Sequence, residues 1–263
     1  MVGHNRYTRY VALGDSQTEG LWDGDDSSGL RGFADRLAER LDALHPGLQY
    51  ANLAVRGNQI RDVADVQLPA ALTMRADLIT LCIGMNDMTR PGPGFEHALT
   101  QLEVVHRTLA ASGATVVTTT FPDLARILPI GRVLGHRVLA INDVIRAAAR
   151  RYGFALVDLY SAPSMTQPDT WSPDRVHGSP RGHLLFAEAA AEALGLPGSS
   201  HEWATADPGA ESPSLRSRTY SQFLWTQNML MPWIMERLRS HLRGRPVGEA
   251  RGPRRPALAH LVG

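Results

Sequence analysis

Runs of consecutive apolar residues punctuate the chain at Tyr10 to Leu13, Tyr50 to Val55, Leu78 to Ile83, Thr115 to Thr120 and Ala155 to Leu159. Within each run apolar residues fill neighbouring positions rather than alternating with polar ones, so both faces of each strand need cover. Between the runs, apolar positions recur at helical spacing over Phe33 to Leu44, Val63 to Met74, Phe95 to Ala111 and Val133 to Arg151, and again over His183 to Leu194. Strand and helix therefore alternate. The pattern predicts an α/β domain of three layers, a doubly wound five-stranded parallel sheet between two layers of helices.

Past Leu196 the pattern gives out. Pro197-Gly198-Ser199-Ser200 opens an irregular stretch, so the domain is expected over residues 1–196 and a surface linker over 197–216. Apolar character returns in Phe223, Leu224, Met229, Leu230, Trp233, Ile234 and Leu238, with Arg237, Arg239 and Arg243 around the last of them. This predicts an amphipathic helix over 217–243, interrupted or restarted at Pro232. The tail, 244–263, is rich in Arg, Pro and Gly and is read as disordered.

Composition narrows the function. A chain of 263 residues, 43% hydrophobic, can bury one large core without a second enzyme domain. With 27 basic against 26 acidic residues the net charge is +1, which supplies no field for holding nucleic acid. Every basic residue is arginine, which excludes Schiff-base lysine chemistry and the phosphate-gripping lysine of a P-loop. The lone cysteine, Cys82, lies inside an apolar run and is expected as a small buried hydrophobe. A short polar stretch, Met1 to Arg9, precedes the first strand, and no apolar run approaches the ~18 residues of a membrane span. No transmembrane segment and a cytoplasmic location are the expectations.

The chemistry sits where strands end. Gly14-Asp15-Ser16 follows the first strand, Asn52-Leu53-Ala54-Val55-Arg56-Gly57-Asn58 closes the second, and Gly84-Met85-Asn86-Asp87 follows the third. Asp174-Arg175-Val176-His177 precedes the last predicted helix. Open α/β sheets hold their ligands at the carboxyl ends of the strands. A serine hydroxyl there can be presented to a cleft, where a histidine takes its proton. Asp and His three residues apart on one loop can fold back, the carboxylate accepting the imidazole's Nδ1 proton. Each motif also has a plain reading by itself, because Gly-Asp-Ser is an ordinary turn and Asn86 and Asp174 suit turns and helix starts.

Taken together and in order, Gly14-Asp15-Ser16, Gly57, Gly84-x-Asn86-Asp87 and Asp174-x-x-His177 resemble the four signature blocks of the SGNH or GDSL hydrolases, over about residues 9–196. The resemblance implies a flavodoxin-like sheet and serine-hydrolase chemistry without a cofactor. Ser16 matches the family's nucleophile, His177 its general base and Asp174 the base's orienting partner. The backbone N–H groups of Ser16 and Gly57 and the side-chain amide of Asn86 match its oxyanion hole, and Asp15 and Asp87 match residues that brace turns. The family often has glycine after its Asp, where this chain has Arg175, which puts a cation near the mouth of the site.

The expected function is hydrolysis of a carboxylic ester, as an esterase or lipase acting on a small-molecule ester or acyl substrate. Two alternatives stay open: an acyltransferase that passes the same acyl group to a bound alcohol or amine, and a non-catalytic scaffold. In the last, residues 217–243 would dock on a membrane surface or a protein partner; against this stands the plainer expectation that the helix packs back on the core or pairs with a second copy of the chain. A metal site is not expected. His136 lacks a partner at helical spacing, and Asp23-Gly24-Asp25-Asp26 lacks the spaced ligands and closing Glu of a calcium loop. Trp22 and Phe33 are candidate acyl-pocket residues, His183 is read as helix-terminal packing, and Arg56 as a solvated cation beside Gly57.

Overall fold

The computed structural model describes residues 6–209, apart from 26, 28, 91 and 128–130, together with residue 231. The amphipathic helix expected over 217–243 and the tail over 244–263 lie outside the described residues, save residue 231. The apolar runs form strands β1 (Arg9–Gly14), β2 (Gln49–Asn52), β3 (Leu78–Cys82), β4 (Thr115–Thr119) and β5 (Ala155–Val157). They pair in parallel in the spatial order β2-β1-β3-β4-β5. This is the flavodoxin-like order, whose switch point lies between β1 and β3. A separate antiparallel ladder joins Gly24–Asp25 to Gly29–Leu30.

The continuous apolar runs are explained by burial on both faces. Val11, Leu13, Ile79 and Leu81 pack under the helices Phe95–Ala111 and Gly131–Tyr152 and the helical stretch that begins at Ile60. Tyr10, Ala12, Leu78 and Cys82 point the other way, onto the helices Phe33–Leu44 and Pro180–Ala193. The first of these buries Phe33, Ala34, Leu37, Ala38 and Leu41 along one stripe. Full burial of a side chain such as Leu37 stabilises the fold by about 1.5–3 kcal/mol. Its start is fixed by the Gly32 N–H, which donates to Asp35 Oδ2 over 2.8 Å. The last helix begins three residues before the sequence pattern suggests. Ser179 caps it, accepting from the Gly182 N–H at 3.1 Å, and Pro180 occupies the first turn, where its missing N–H costs nothing.

Two departures from the sequence pattern have physical reasons. The helix expected over Val63 to Met74 begins at Ile60 and passes through a π-helical turn, Val63–Gln67, before continuing as Leu68–Thr73. The wide turn carries Gln67, buried in the core, to the end of β1, where its amide pairs with both polar groups of Gly14. The Gly14 N–H donates to Oε1 and Nε2 donates to the Gly14 carbonyl, both at 2.8 Å. Gly14 itself is required by close approach, since a Cβ there would run into the Cys82 carbonyl and the Thr18 side chain. The second departure lies past the expected domain end. Residues His201–Ala204 form a 3₁₀ turn with Trp203 buried, its indole N–H on Glu192, so packing continues beyond Leu196 into the expected linker.

Candidate active site

The four motifs that follow strands or precede the last helix each contribute to one cavity at the carboxyl ends of the strands, through Ser16, Gly57, Asn86 and His177. Ser16 begins the short helix Ser16–Glu19 directly after β1, with Asp15 as its N-cap; Asp15 Oδ1 accepts from the Gln17 N–H at 3.1 Å. As the first residue of a helix, Ser16 carries an N–H with no partner inside that helix. Gly57 lies beyond β2 with φ +83°, a left-handed value that favours glycine. Asn86 follows β3 in the helix Met85–Thr89. All three line a cavity of about 240 Å³, with Leu21, Met85, Phe121, Pro122 and Val176 among its apolar walls.

The loop before the last helix delivers the remaining groups. His177 Nε2 lies 2.7 Å from Ser16 Oγ, although 161 positions separate the two residues. His177 Nδ1 lies 2.8 Å from Asp174 Oδ2. With its Nδ1 proton held by the carboxylate, the neutral imidazole turns a lone pair on Nε2 towards the serine. Asp174 is saturated: Oδ1 accepts from Ser172 Oγ at 2.7 Å and from the N–H groups of Val176 and His177 at 2.9 and 3.1 Å. Burial alone would raise its pKa, but the hydrogen bond and charge of His177, with the Ser172 and Val176 donors, hold it well below the usual carboxylate range. The carboxylate therefore stays ionised opposite an imidazole that can accept a proton.

Asn86 is already partly engaged. Its Nδ2 donates to the Asn58 carbonyl at 2.8 Å and lies 3.3 Å from Asp15 Oδ2. The first contact fixes the amide plane, and the longer second contact leaves one proton available to a ligand that competes with the carboxylate. Asp15 and Asp87 are both pushed up to about 6, by burial first. Asp87 accepts from the Ile60 N–H at 3.0 Å and braces the turn after Gly57, and Asp15 caps the serine helix.

Several expectations change. Neither Trp22 nor Phe33 lines the cavity. Phe33 is core, its ring edge-on to Phe186, and the Trp22 indole N–H donates instead to Asp174 Oδ2 at 2.7 Å. Arg56, at the cavity wall, is paired with Glu19 through Nε at 3.0 Å rather than simply solvated. Arg175 adopts φ +59°, which gives a backbone reason for a glycine being common after the family's Asp. His183 does pack at the start of the last helix, fully buried, with Nε2 3.0 Å from the Leu21 carbonyl; burial lowers its pKa to about 4. Cys82 is buried on the cavity wall, and burial pushes its thiol up to about 12.

Some residues that position the site were not singled out. Gln17 Oε1 accepts from the Gly178 N–H at 3.1 Å, tying the serine helix to the histidine loop. Asn142, inside Gly131–Tyr152, pairs reciprocally with the backbone of Phe121 at 2.8 Å in both directions and so fixes the cavity wall after β4. A polar residue on the apolar, buried face of an amphipathic helix was the available signal for Asn142.

The sequence model of the GDSL-like lipase/acylhydrolase family matches residues 12–185. The chain belongs to this family. Membership makes it an esterase- or lipase-type hydrolase acting on a small molecule. No curated protein matches the chain. Among solved structures, it is similar to LAE5, an alpha/beta hydrolase enzyme from the metagenome of Lake Arreo, Spain, with 23% identity, TM-score 0.60, and coverage of 72% of this chain and 95% of that one. Axe2, an acetylxylan esterase from Geobacillus stearothermophilus, aligns with 18% identity, TM-score 0.60, and 76% and 97% coverage. TesA aligns with 21% identity, TM-score 0.55, and 71% and 98% coverage. At these identities the likeness is one of fold. Among the described residues no helix is long and apolar enough to cross a membrane, and no group of three or more His, Cys, Asp or Glu could hold a metal ion.

Proposed function

We propose that this GDSL-family hydrolase cleaves carboxylic esters of apolar acyl groups through an acyl-enzyme on Ser16. Ser16 Oγ attacks the ester carbonyl carbon while His177 Nε2 takes the hydroxyl proton, and Asp174 stabilises the imidazolium that forms. The oxyanion is met by the N–H groups of Ser16 and Gly57 and the amide of Asn86, three neutral donors from three strand ends. His177 then gives its proton to the departing alcohol. Water enters, loses a proton to His177 and attacks the acyl carbon, and Ser16 Oγ leaves and recovers its proton as the free acid departs.

The observation that carries this reading is the unbroken line of short contacts from Ser16 Oγ through both nitrogens of His177 to Asp174, at 2.7 and 2.8 Å. The apolar walls of the adjoining cavity, Leu21, Met85, Phe121, Pro122 and Val176, support an apolar acyl group. The similar Axe2 is an acetylxylan esterase, which supports a carboxylic ester as the bond cleaved. The test is product analysis on p-nitrophenyl esters of increasing chain length, for wild type and Ser16→Ala. Free acid and p-nitrophenol from wild type alone support hydrolysis. Acyl capture by an added alcohol at the expense of free acid would assign acyl transfer instead.

A further inference from the structure

Trp22 combines features that packing alone does not explain. It is a bulky residue with φ +74°, a left-handed backbone that costs roughly 1–2 kcal/mol outside glycine. It is also among the exposed large hydrophobics, at 38%. Its neighbours hold it in place from both sides. The Leu21 carbonyl lies 3.0 Å from His183 Nε2, and buried Asp23 pairs with Arg36 at 2.6 Å. The outcome of this constraint is one contact, from the indole N–H to Asp174 Oδ2 at 2.7 Å. That oxygen is the same one that faces His177 Nδ1.

We propose that Trp22 is a positioning residue for the Asp174–His177 pair, holding the carboxylate in the plane of the imidazole and moderating the negative charge that the imidazolium meets. The inference rests on the proposed Ser16 chemistry. An N–H dipole aimed at Oδ2 draws off part of the charge otherwise directed at His177, so the protonated imidazole gains less from the carboxylate than it would without the indole. On Oδ2 the indole adds to the three donors that already hold Oδ1, and so helps to keep the carboxylate opposite Nδ1. Asp15 beneath Ser16, His183 from the last helix, and Arg56 and Arg175 from the flanking loops also act on or near His177. All four persist in a Trp22 variant, so a comparison of variants isolates the indole.

The test is the rate at which a fluorophosphonate modifies the full-length protein across pH, followed by intact mass, for wild type, Trp22→Phe and Trp22→Gly. Phenylalanine keeps the ring and loses only the donor, and glycine relaxes the left-handed backbone, so one variant folds even if the other is strained. The expected result is an acid limb whose midpoint moves up by about half a unit in both variants, with a plateau rate lowered about tenfold. A midpoint that stays in place or moves down, whatever happens to the plateau, overturns the positioning role. Ser16→Ala separates the two claims: labelling that persists in that variant, or absence of labelling in wild type, overturns the Ser16 reading and this inference with it. Loss of label in Ser16→Ala beside an unmoved midpoint in Trp22→Phe overturns the inference alone.

Discussion

Asn86 donates through Nδ2 to the backbone carbonyl of Asn58 at 2.8 Å, which clamps the amide between the ends of β2 and β3. A donor aimed in advance loses no freedom when charge develops on a substrate oxygen, and this is where electrostatic catalysis gains most. Asn86→Ala is expected to lower kcat by about 10²–10³ with little change in KM. Steady-state kinetics on a p-nitrophenyl ester check it. A variant that lost only KM would place Asn86 in ground-state binding.

Gln67 answers for both backbone polar groups of Gly14, the last residue before the strand gives way to Asp15 and Ser16. Gln67→Leu fits the same space but leaves a buried N–H and a buried carbonyl without partners. A loss of about 2–4 kcal/mol of stability is expected, read from urea unfolding. Part of the activity should go with it, because the serine turn loses its anchor.

His106 is fully buried against the Phe154 ring, and burial lowers its pKa to about 4. Between that value and the ordinary 6.5 of an unfolded histidine, the unfolded chain binds more protons than the folded one, so this group's contribution falls as pH drops through the window. Asp15 and Asp87, raised to about 6, act oppositely: their contribution is full below the unfolded carboxylate value of 3.8 and is lost as pH rises through about 6. The two effects partly cancel in wild type. His106→Leu removes one of them, so its stability relative to wild type should improve by ~2 kcal/mol on going from pH 8 to pH 5. Urea titrations of both proteins at the two pH values measure this difference. An unchanged difference would mean that His106 takes up a proton in the folded protein as easily as in water.

Much of this was legible because its physics is local. Unbroken apolar runs announced a sheet covered on both faces, and the helices Phe33–Leu44 and Phe95–Ala111 have the bounds their periodicity gives. Glycine-bearing turns at strand ends marked where Ser16, Gly57 and Asn86 gather. Non-local contacts were hidden. Nothing near Trp22 announces Asp174, 152 positions away, and an exposed aromatic beside the serine turn reads naturally as a pocket wall. The π turn at Val63–Gln67 exists to satisfy Gly14, a demand that local propensity does not express. Trp203, an aromatic in the polar stretch after Leu196, was the sign in the sequence that packing continues.

Whether Ser16 is the nucleophile is decided by intact-protein mass spectrometry after treatment with a fluorophosphonate. A single phosphonyl adduct is expected on the wild-type chain, mapped to Ser16, with neither adduct nor ester turnover in a folded Ser16→Ala variant. An adduct that survives in Ser16→Ala, or a folded wild-type protein that takes no label and cleaves no ester, would contradict that assignment.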